Sequence, residues 1–297
     1  MTTENLLDLV GYHKKWHATV QNTRKEYEYN QNDYIIEQIF DRIGVKNGFF
    51  VEFGAWDGIF GSNTRKLFNS GWSGILIEPE EDRFLELQKN YQDSDNVTAI
   101  NSFVNPTGDL TFDKLVDKHV HSGIDFCSID IDGLDLDVFE SIEKHLPKVV
   151  CIEGGQMMNP LYKQRIPTEL SQQNIQQGLY IMNESFEKKG YKILCTYQDT
   201  FFIKEEYYNL FNVKDDLVEL YLDGILAYPR APWILSTLQK VGLRNEIIDL
   251  IMSRVGTLPS DSSSESKQRW IDKNYSQICD IVEAVRQAYH KPSNNKE

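Results

Sequence analysis

Three groups of residues in this 297-residue sequence have the types and spacing to do chemistry. The first is the turn Glu52-Phe53-Gly54-Ala55-Trp56-Asp57-Gly58, which follows an apolar run beginning at Phe49. Glycines at 54 and 58 let backbone pass close to a ligand and let helix N–H groups face it. The pattern is E-x-G-x-x-x-G and not G-x-G-x-x-G, so the glycine pair that admits a pyrophosphate is missing, which argues against NAD and FAD. An acid at the end of a strand suits a ligand carrying an ammonium group, and Asp57 adds a second carboxylate. Glu78 ends the next apolar run, where a ribose would lie in an open α/β sheet. The second group is Asp130 and Asp132 in FCSIDIDGLDLDVFESI. Side chains alternate along a strand, so the two acids share a face and could accept a proton, hold a cation or orient a hydroxyl. Asp135 and Asp137 read as helix-start acids favoured by the macrodipole. The third is Glu153, at the end of another apolar run, which with Asp130 and Asp132 could converge on one hard cation. Each group also has a plainer reading, as a tight glycine turn or as solvated acids after a strand.

The elements that must position these groups alternate. Helical periodicity over 33–43 leads to a turn at Asn47-Gly48 and a strand from Phe49. Helices are then expected at 63–69, 81–91, 113–119 and 136–144, between strands at 74–77, 97–101, 125–131 and 149–153. Strands that read as continuous apolar runs between helices predict an α/β fold with a mostly parallel sheet covered on both faces. The regularity breaks at Gly154-Gly155. The polar stretch from there to Gly178 is too long for an ordinary connection and reads as a substrate loop, in which Tyr162, Lys163 and Arg165 could meet an anionic or hydroxylated acceptor. After a helix at 179–189, the runs YKILCTYQ and TFFIKEE are too close for a crossover and predict an antiparallel hairpin. Residues 2–30 read as an amphipathic helix. Residues 207–256 are helical in pattern with a break at Tyr228–Pro232, 257–267 as a low-complexity linker, and 268–289 as a last amphipathic helix. The chain thus divides into an N-terminal helical segment (1–44), an α/β domain (45–206) and a C-terminal helical extension (207–297).

Composition bounds the function. A net charge of −14, from 45 acids and 31 bases, repels long polyanions, so nucleic acid is not expected as a partner. No apolar run approaches the ~20 residues of a membrane span, and the first residues lack the pattern of a secretory signal, so the protein is read as cytoplasmic. The four cysteines, Cys127, Cys151, Cys195 and Cys279, are widely spaced and read as buried thiols. Histidines 119 and 121 precede a strand at its wrong end for catalysis, and the other four lie on helices or in a tail. They read as surface or packing residues.

Taken together, YNQNDYII, GFFVEFGAWDGIFGSNT, GWSGILIEP, SIDIDGLDLDVFESI, VVCIEGG and GYKILCTYQDTFFIKEE give a sequence that resembles the FkbM-type S-adenosylmethionine-dependent methyltransferases over about Tyr29 to Glu206. The resemblance implies a Rossmann-like, doubly wound sheet of seven strands with the last antiparallel. It implies that Glu52, Gly54 and Gly58 line the methionine end of the cofactor, that Asp57 and Asn63 also bind the cofactor, and that Glu78 takes the ribose hydroxyls. Asn101, Ser102 and Phe103 would flank adenine, and Asp130 would face the amino group or the reacting centre. It further implies direct in-line transfer of a methyl group to a hydroxyl of a sugar, glycan or natural product. Asp130 or Asp132 would act as base or as a magnesium ligand, with Glu153 assisting. Two glycines follow Glu153, where related sequences often carry a Tyr-Asn pair. A nucleotide-sugar glycosyltransferase and a non-catalytic nucleoside-binding module are the readings from other classes. The helical extensions could form a homodimer surface or close the site.

Overall fold

A computed structural model describes residue 6 and residues 32–227, 231–256 and 264–291. The helix expected over 2–30 falls outside the described residues apart from Leu6, as do 257–263 of the expected linker and Tyr228, Pro229 and Arg230 of the expected helix break. Helix α1 (Asn32–Ile43) leads into strand β1 (Phe49–Phe53), followed by α2 (Arg65–Asn69), β2 (Ser73–Ile77), α3 (Glu81–Tyr91) and β3 (Val97–Ile100). The second half runs α4 (Phe112–Val116), β4 (Phe126–Ile129), α5 (Asp135–Ser141) and β5 (Val149–Glu153). A short helix α6 (Thr168–Ser171), helix α7 (Leu179–Glu187) and the hairpin β6 (Tyr191–Thr196) and β7 (Asp199–Lys204) complete the α/β part.

The sheet has seven strands in the order β3-β2-β1-β4-β5-β7-β6. Strands β1 to β5 are parallel, and β7 runs antiparallel to both β5 and β6. This is the Rossmann-like sheet with an antiparallel last strand that the sequence leads one to expect. Alternation along each strand sorts two apolar faces. Val51, Ile75, Cys127, Val150 and Phe202 lie in one core. Phe50, Leu76, Phe126, Cys151 and Phe201 lie in the other, with Ile35, Ile36, Ile39 and Phe40 of α1. All four cysteines are buried and outside any disulfide, as their apolar surroundings required. No helix among the described residues is long and apolar enough to cross a membrane.

Beyond the sheet come α8 (Glu205–Tyr208), α9 (Leu217–Ala227), α10 (Ala231–Lys240), α11 (Glu246–Val255) and α12 (Ser264–Tyr289). Their buried residues, among them Leu222, Ile251 and Val282, join the same core as Val51 and Val150. The two ends of this bundle are tied by Glu219 of α9, whose side chain is 6% exposed and meets Lys214 at 3.0 Å, Arg286 at 2.8 Å and His290 at 2.8 Å. Burial alone would push this carboxyl up; the hydrogen bonds from His290, Lys214 and Arg286 outweigh it and bring the pKa down to about 2. Because the folded value lies below the unfolded one, the stabilisation is complete above about pH 4.5 and is lost as pH falls toward 2. Discounted for the water that reaches Lys214 and His290, it amounts to about 2 kcal/mol. Glu219→Gln is therefore expected to melt several degrees below wild type at pH 7, and the gap should close in melts run progressively below pH 4.5.

Candidate functional site

The sheet order reverses between β1 and β4: the chain leaves β1 toward β2 and β3 on one side and returns to build β4 and β5 on the other. Open α/β sheets bind ligands at such a switch point, outside the carboxyl ends of the strands. A cleft of about 490 Å³ lies there, walled by Gly54 and Trp56 after β1, Glu78 after β2, Ser102 and Phe103 after β3, and Asp130 after β4. Its size is that of a small-molecule site.

Gly54 makes the junction possible. Its φ is +75°, and a Cβ there would stand 1.6 Å from the carbonyl oxygen of Asp130. The glycine expected to admit a ligand thus first admits the neighbouring strand. Gly58 likewise faces protein: a Cβ would lie 2.5 Å from the Tyr91 ring, and the Tyr91 hydroxyl donates to the Gly58 carbonyl at 2.7 Å. Glu52 does not line the cleft. It is buried below it and accepts from the Thr64 hydroxyl at 2.6 Å, the Ser62 hydroxyl at 2.8 Å and the Asn63 N–H at 2.8 Å. Burial pushes its pKa up against those three donors. Its work is to hold the turn that launches α2, which begins two residues later than the periodicity suggests because Asn63 and Thr64 are committed to this carboxylate. The Asn63 amide donates inward to the Ser128 hydroxyl at 2.9 Å. Asp57 folds its own turn, accepting from the N–H groups of Ile59 and Phe60. Asn101 donates to the carbonyls of Glu78 and Pro79 and so locks the turn after β3 onto the turn after β2. Of the residues expected at the cofactor, Gly54, Glu78, Ser102, Phe103 and Asp130 face the cleft, whereas Glu52, Asp57, Gly58, Asn63 and Asn101 shape the turns behind it.

The Glu78 carboxylate is fixed in place by two backbone donors, Trp56 N–H at 2.8 Å and Glu80 N–H at 2.9 Å. Burial, followed by the Glu80 charge, pushes it upward while these bonds and Arg83 oppose the shift. Its remaining lone pairs are open to hydroxyl donors in the cleft.

At the other end the carboxylates crowd together. Asp130, Asp135 and Glu153 bring ligand oxygens within 4.8 Å of one another. This corrects the set Asp130, Asp132 and Glu153: β4 ends at Ile129, so strict alternation stops before Asp132, which adopts φ +57° and turns to meet the Asn174 amide at 2.8 Å. Asp135 takes its place, doing more than start a helix: it accepts from Ile131 N–H and Gly133 N–H, both at 2.9 Å, and is fully buried. Burial lifts its pKa to about 6 in spite of those bonds. Glu153 accepts from the Gln176 amide at 2.6 Å. Asp130 alone of the three accepts no hydrogen bond from a described residue. Withdrawal from bulk water, then the charges of Glu153, Asp199, Asp135 and Asp132, push it well above the usual carboxylate range. Since its side chain opens to the cleft, water tempers the first of these causes and leaves the repulsion.

A magnesium ion takes oxygens about 3 Å apart at neighbouring positions and about 4 Å apart at opposite positions of a near-octahedral set. The three carboxylates bring ligand oxygens within 4.8 Å of one another, near that span, while Asp135 and Glu153 also accept from N–H donors. Asp130, Asp135 and Glu153 are the residues that would hold such a cation, and no step is derived through it.

The stretch expected to be a substrate loop does lie against the site, through different residues than the cations singled out. Arg165 is held by Glu140 and Asp137, Lys163 sits over the Tyr180 ring at 4.9 Å, and the Tyr162 hydroxyl donates to Gln164. Gln172 lines the cleft, while Asn174 and Gln176 grip Asp132 and Glu153. The polar run ELSQQNIQQ was the signal in the sequence; amides are suited to lie beside acids because they add donors without charge. Three non-glycine residues among those described have positive φ, namely Trp56, Asp132 and Asn174, and all three sit at this cleft or its cover. Strained backbone concentrates at functional sites.

The fold places the chain among Rossmann-like α/β proteins with a switch-point cleft. Solved structures it is similar to include a SAM dependent methyltransferase from Aquifex aeolicus (11% identity, covering 56% of this chain and 86% of that one, TM-score 0.34). Others are a precorrin-6y C5,15-methyltransferase from Geobacter metallireducens (13%, 57% and 85%, 0.36) and a ribosomal protein L11 methylase from Lactobacillus delbrueckii subsp. bulgaricus (13%, 59% and 79%, 0.37). Identities this low, at TM-scores below 0.5, speak to neither substrate nor chemistry. No family model matches the chain, and no curated protein matches it either.

Proposed function

We propose that the protein is an S-adenosylmethionine-dependent methyltransferase of the FkbM type, acting on a hydroxyl of a sugar, glycan or natural product. The observation that carries the reading is the polarity of the cleft. One end holds a preset carboxylate, Glu78, able to take vicinal hydroxyls. The other holds an acid crowd, in which the Asp130 carboxylate accepts no hydrogen bond from a described residue and gains from any positive charge brought beside it. No glycine-rich phosphate cradle lies between them. A ligand with a ribose at one end and a sulfonium and an ammonium at the other fits that arrangement; a dinucleotide does not.

When bound, S-adenosylmethionine supplies a methyl group on a sulfonium, which a nucleophile displaces in line while the sulfur keeps the bonding electrons. The chain's part is to place the acceptor oxygen and to take its proton. Asp130 receives that proton on a carboxylate oxygen as the oxygen–carbon bond forms. Glu153 and Asp135, placed beside it by Gln176 and by backbone N–H groups, keep the Asp130 proton affinity high. Gln172 and the Asn174-Asp132 pair cover the cleft on the acceptor side.

The test is calorimetry of the full chain with S-adenosylhomocysteine and with nucleotide sugars, followed by transfer from labelled S-adenosylmethionine to a panel of sugars and glycosides. Magnesium and a chelator form separate arms of the transfer assay. Micromolar binding of the thioether, transfer to a neutral hydroxylated acceptor, and equal rates with chelator are expected. Binding of a nucleotide sugar without binding of the thioether would turn the assignment to glycosyl transfer. Binding of the thioether with no transfer to any acceptor would leave a binding module.

A further inference from the structure

Trp56 combines three features that a loop residue seldom has together. Its φ is +51°, it is 45% exposed, and it lines the cleft. A bulky side chain in the left-handed region is strained, and such strain persists only where the surroundings enforce it. Here they do. The Trp56 N–H donates to Glu78 at 2.8 Å, and the Arg83 guanidinium lies over the indole ring 4.1 Å from its centroid. Arg83 is steadied in turn by Glu86 at 2.9 Å. One backbone conformation therefore aims the N–H at the carboxylate and lays the ring, backed by a cation, along the wall beside it. Phe103, exposed at 64%, lines the same cleft.

An exposed indole with one face occupied by a guanidinium has its other face free for a flat partner. The guanidinium contact is a cation–π attraction that holds the indole in this orientation. The ring belongs to the residue whose own N–H presets Glu78, so a ribose held by Glu78 carries its base against this wall. From this geometry we infer that Trp56 is the stacking residue for the nucleoside base of the ligand, with Arg83 as its backing, and that the strained φ is what lets one residue serve both base and ribose. The inference rests on the adenosyl ligand proposed above and adds the residue that selects for a planar base.

Three variants separate ring from backbone. Glycine is relaxed at φ +51°, so Trp56→Gly keeps the N–H to Glu78 and removes the ring; Trp56→Ala removes the ring at some strain; Trp56→Phe keeps a ring. Base–aromatic stacking is worth about 5- to 150-fold in affinity on truncation. Trp56→Gly and Trp56→Ala are expected to raise the Kd for S-adenosylhomocysteine by about that factor in calorimetry, and Trp56→Phe by less than about threefold. A spectroscopic readout accompanies this: tryptophan emission of the wild type should be quenched on binding S-adenosylhomocysteine, and the quench should vanish in Trp56→Phe although the ligand still binds. If the wild type binds and the glycine and alanine variants, folded by circular dichroism, bind as tightly without loss of quench, Trp56 is not the stacking residue and the methyltransferase reading stands. If the wild type binds no adenosyl compound, both are overturned.

Discussion

Replacing Asp130 by asparagine is expected to lower kcat by about 10²- to 10⁴-fold, the usual worth of a positioned general base, while leaving S-adenosylhomocysteine bound. The expectation comes from what separates Asp130 from the acids around it. Asp135 has both oxygens engaged by backbone N–H groups, Glu153 is held by Gln176 and Asp132 by Asn174. The Asp130 carboxylate opens to the cleft without a hydrogen bond from a described residue, beside four other acids that raise its affinity for a proton. A raised pKa means that the base is unprotonated, and active, only on the alkaline side of its titration. The kcat/KM of the wild type should therefore climb with pH through a limb lying above the ordinary carboxylate range, and in Asp130→Asn that limb should disappear. Stability should move the other way. Between the ordinary pKa and the raised one the folded state binds more protons than the unfolded state, so folding weakens as pH rises through that window. The neutral amide escapes this, and Asp130→Asn should melt at or above the wild-type temperature at pH 8. An Asp130→Asn protein with wild-type kcat, measured with saturating acceptor, would sink the assignment of the base.

The fold was legible because its strands are apolar on both faces and its turns are marked by glycine, features that single residues announce. Helix α3 and strand β5 occupy the residues that periodicity picks out, and the close spacing of YKILCTYQ and TFFIKEE dictated the hairpin β6–β7. The cleft was half legible. Glu78 and Asp130 follow from strand ends at the switch point, which the order of elements implies. What alternation could not supply is where a strand stops. With β4 ending at Ile129, the backbone curls through Asp132 and Gly133, where a Cβ on Gly133 would strike the Ser171 carbonyl at 2.5 Å. That curl removes Asp132 from the acid set and inserts Asp135. The cations of the cover were misassigned for a related reason. Arg165 finds Glu140 and Asp137 on α5, residues more than twenty positions earlier, and no local pattern reveals such a pairing. Trp56 was hidden because positive φ at a bulky residue runs against its propensity.

The largest structural effect is expected at Gly54, and a second glycine isolates its cause. Gly54 and Gly61 have nearly the same φ, +75° and +71°, so alanine at either position pays the same left-handed penalty of about 1–2 kcal/mol. Their surroundings differ. Around Gly61 a Cβ would meet no atom within 4 Å, whereas at Gly54 it would stand 1.6 Å from the Asp130 carbonyl oxygen and 2.8 Å from its carbon. Those are backbone atoms at the end of a central strand, and they cannot swing aside as a side-chain tip does. Relief requires β1 and β4 to separate where Phe53 pairs with Ile129, inside two fully buried cores that are packed without room to yield. Gly61→Ala should thus lose about 1–2 kcal/mol in urea denaturation, and Gly54→Ala more than about 4 kcal/mol, or else fail to accumulate as folded protein. Any Gly54→Ala that does fold has been pried open at the switch point, with the Asp130 carboxylate displaced from Glu78 across the cleft, so transfer should fall even at temperatures where the protein is intact. Equal losses at the two positions would mean that β1 and β4 do not approach as closely as the cleft requires, and the placement of Asp130 as base would lose its footing with them.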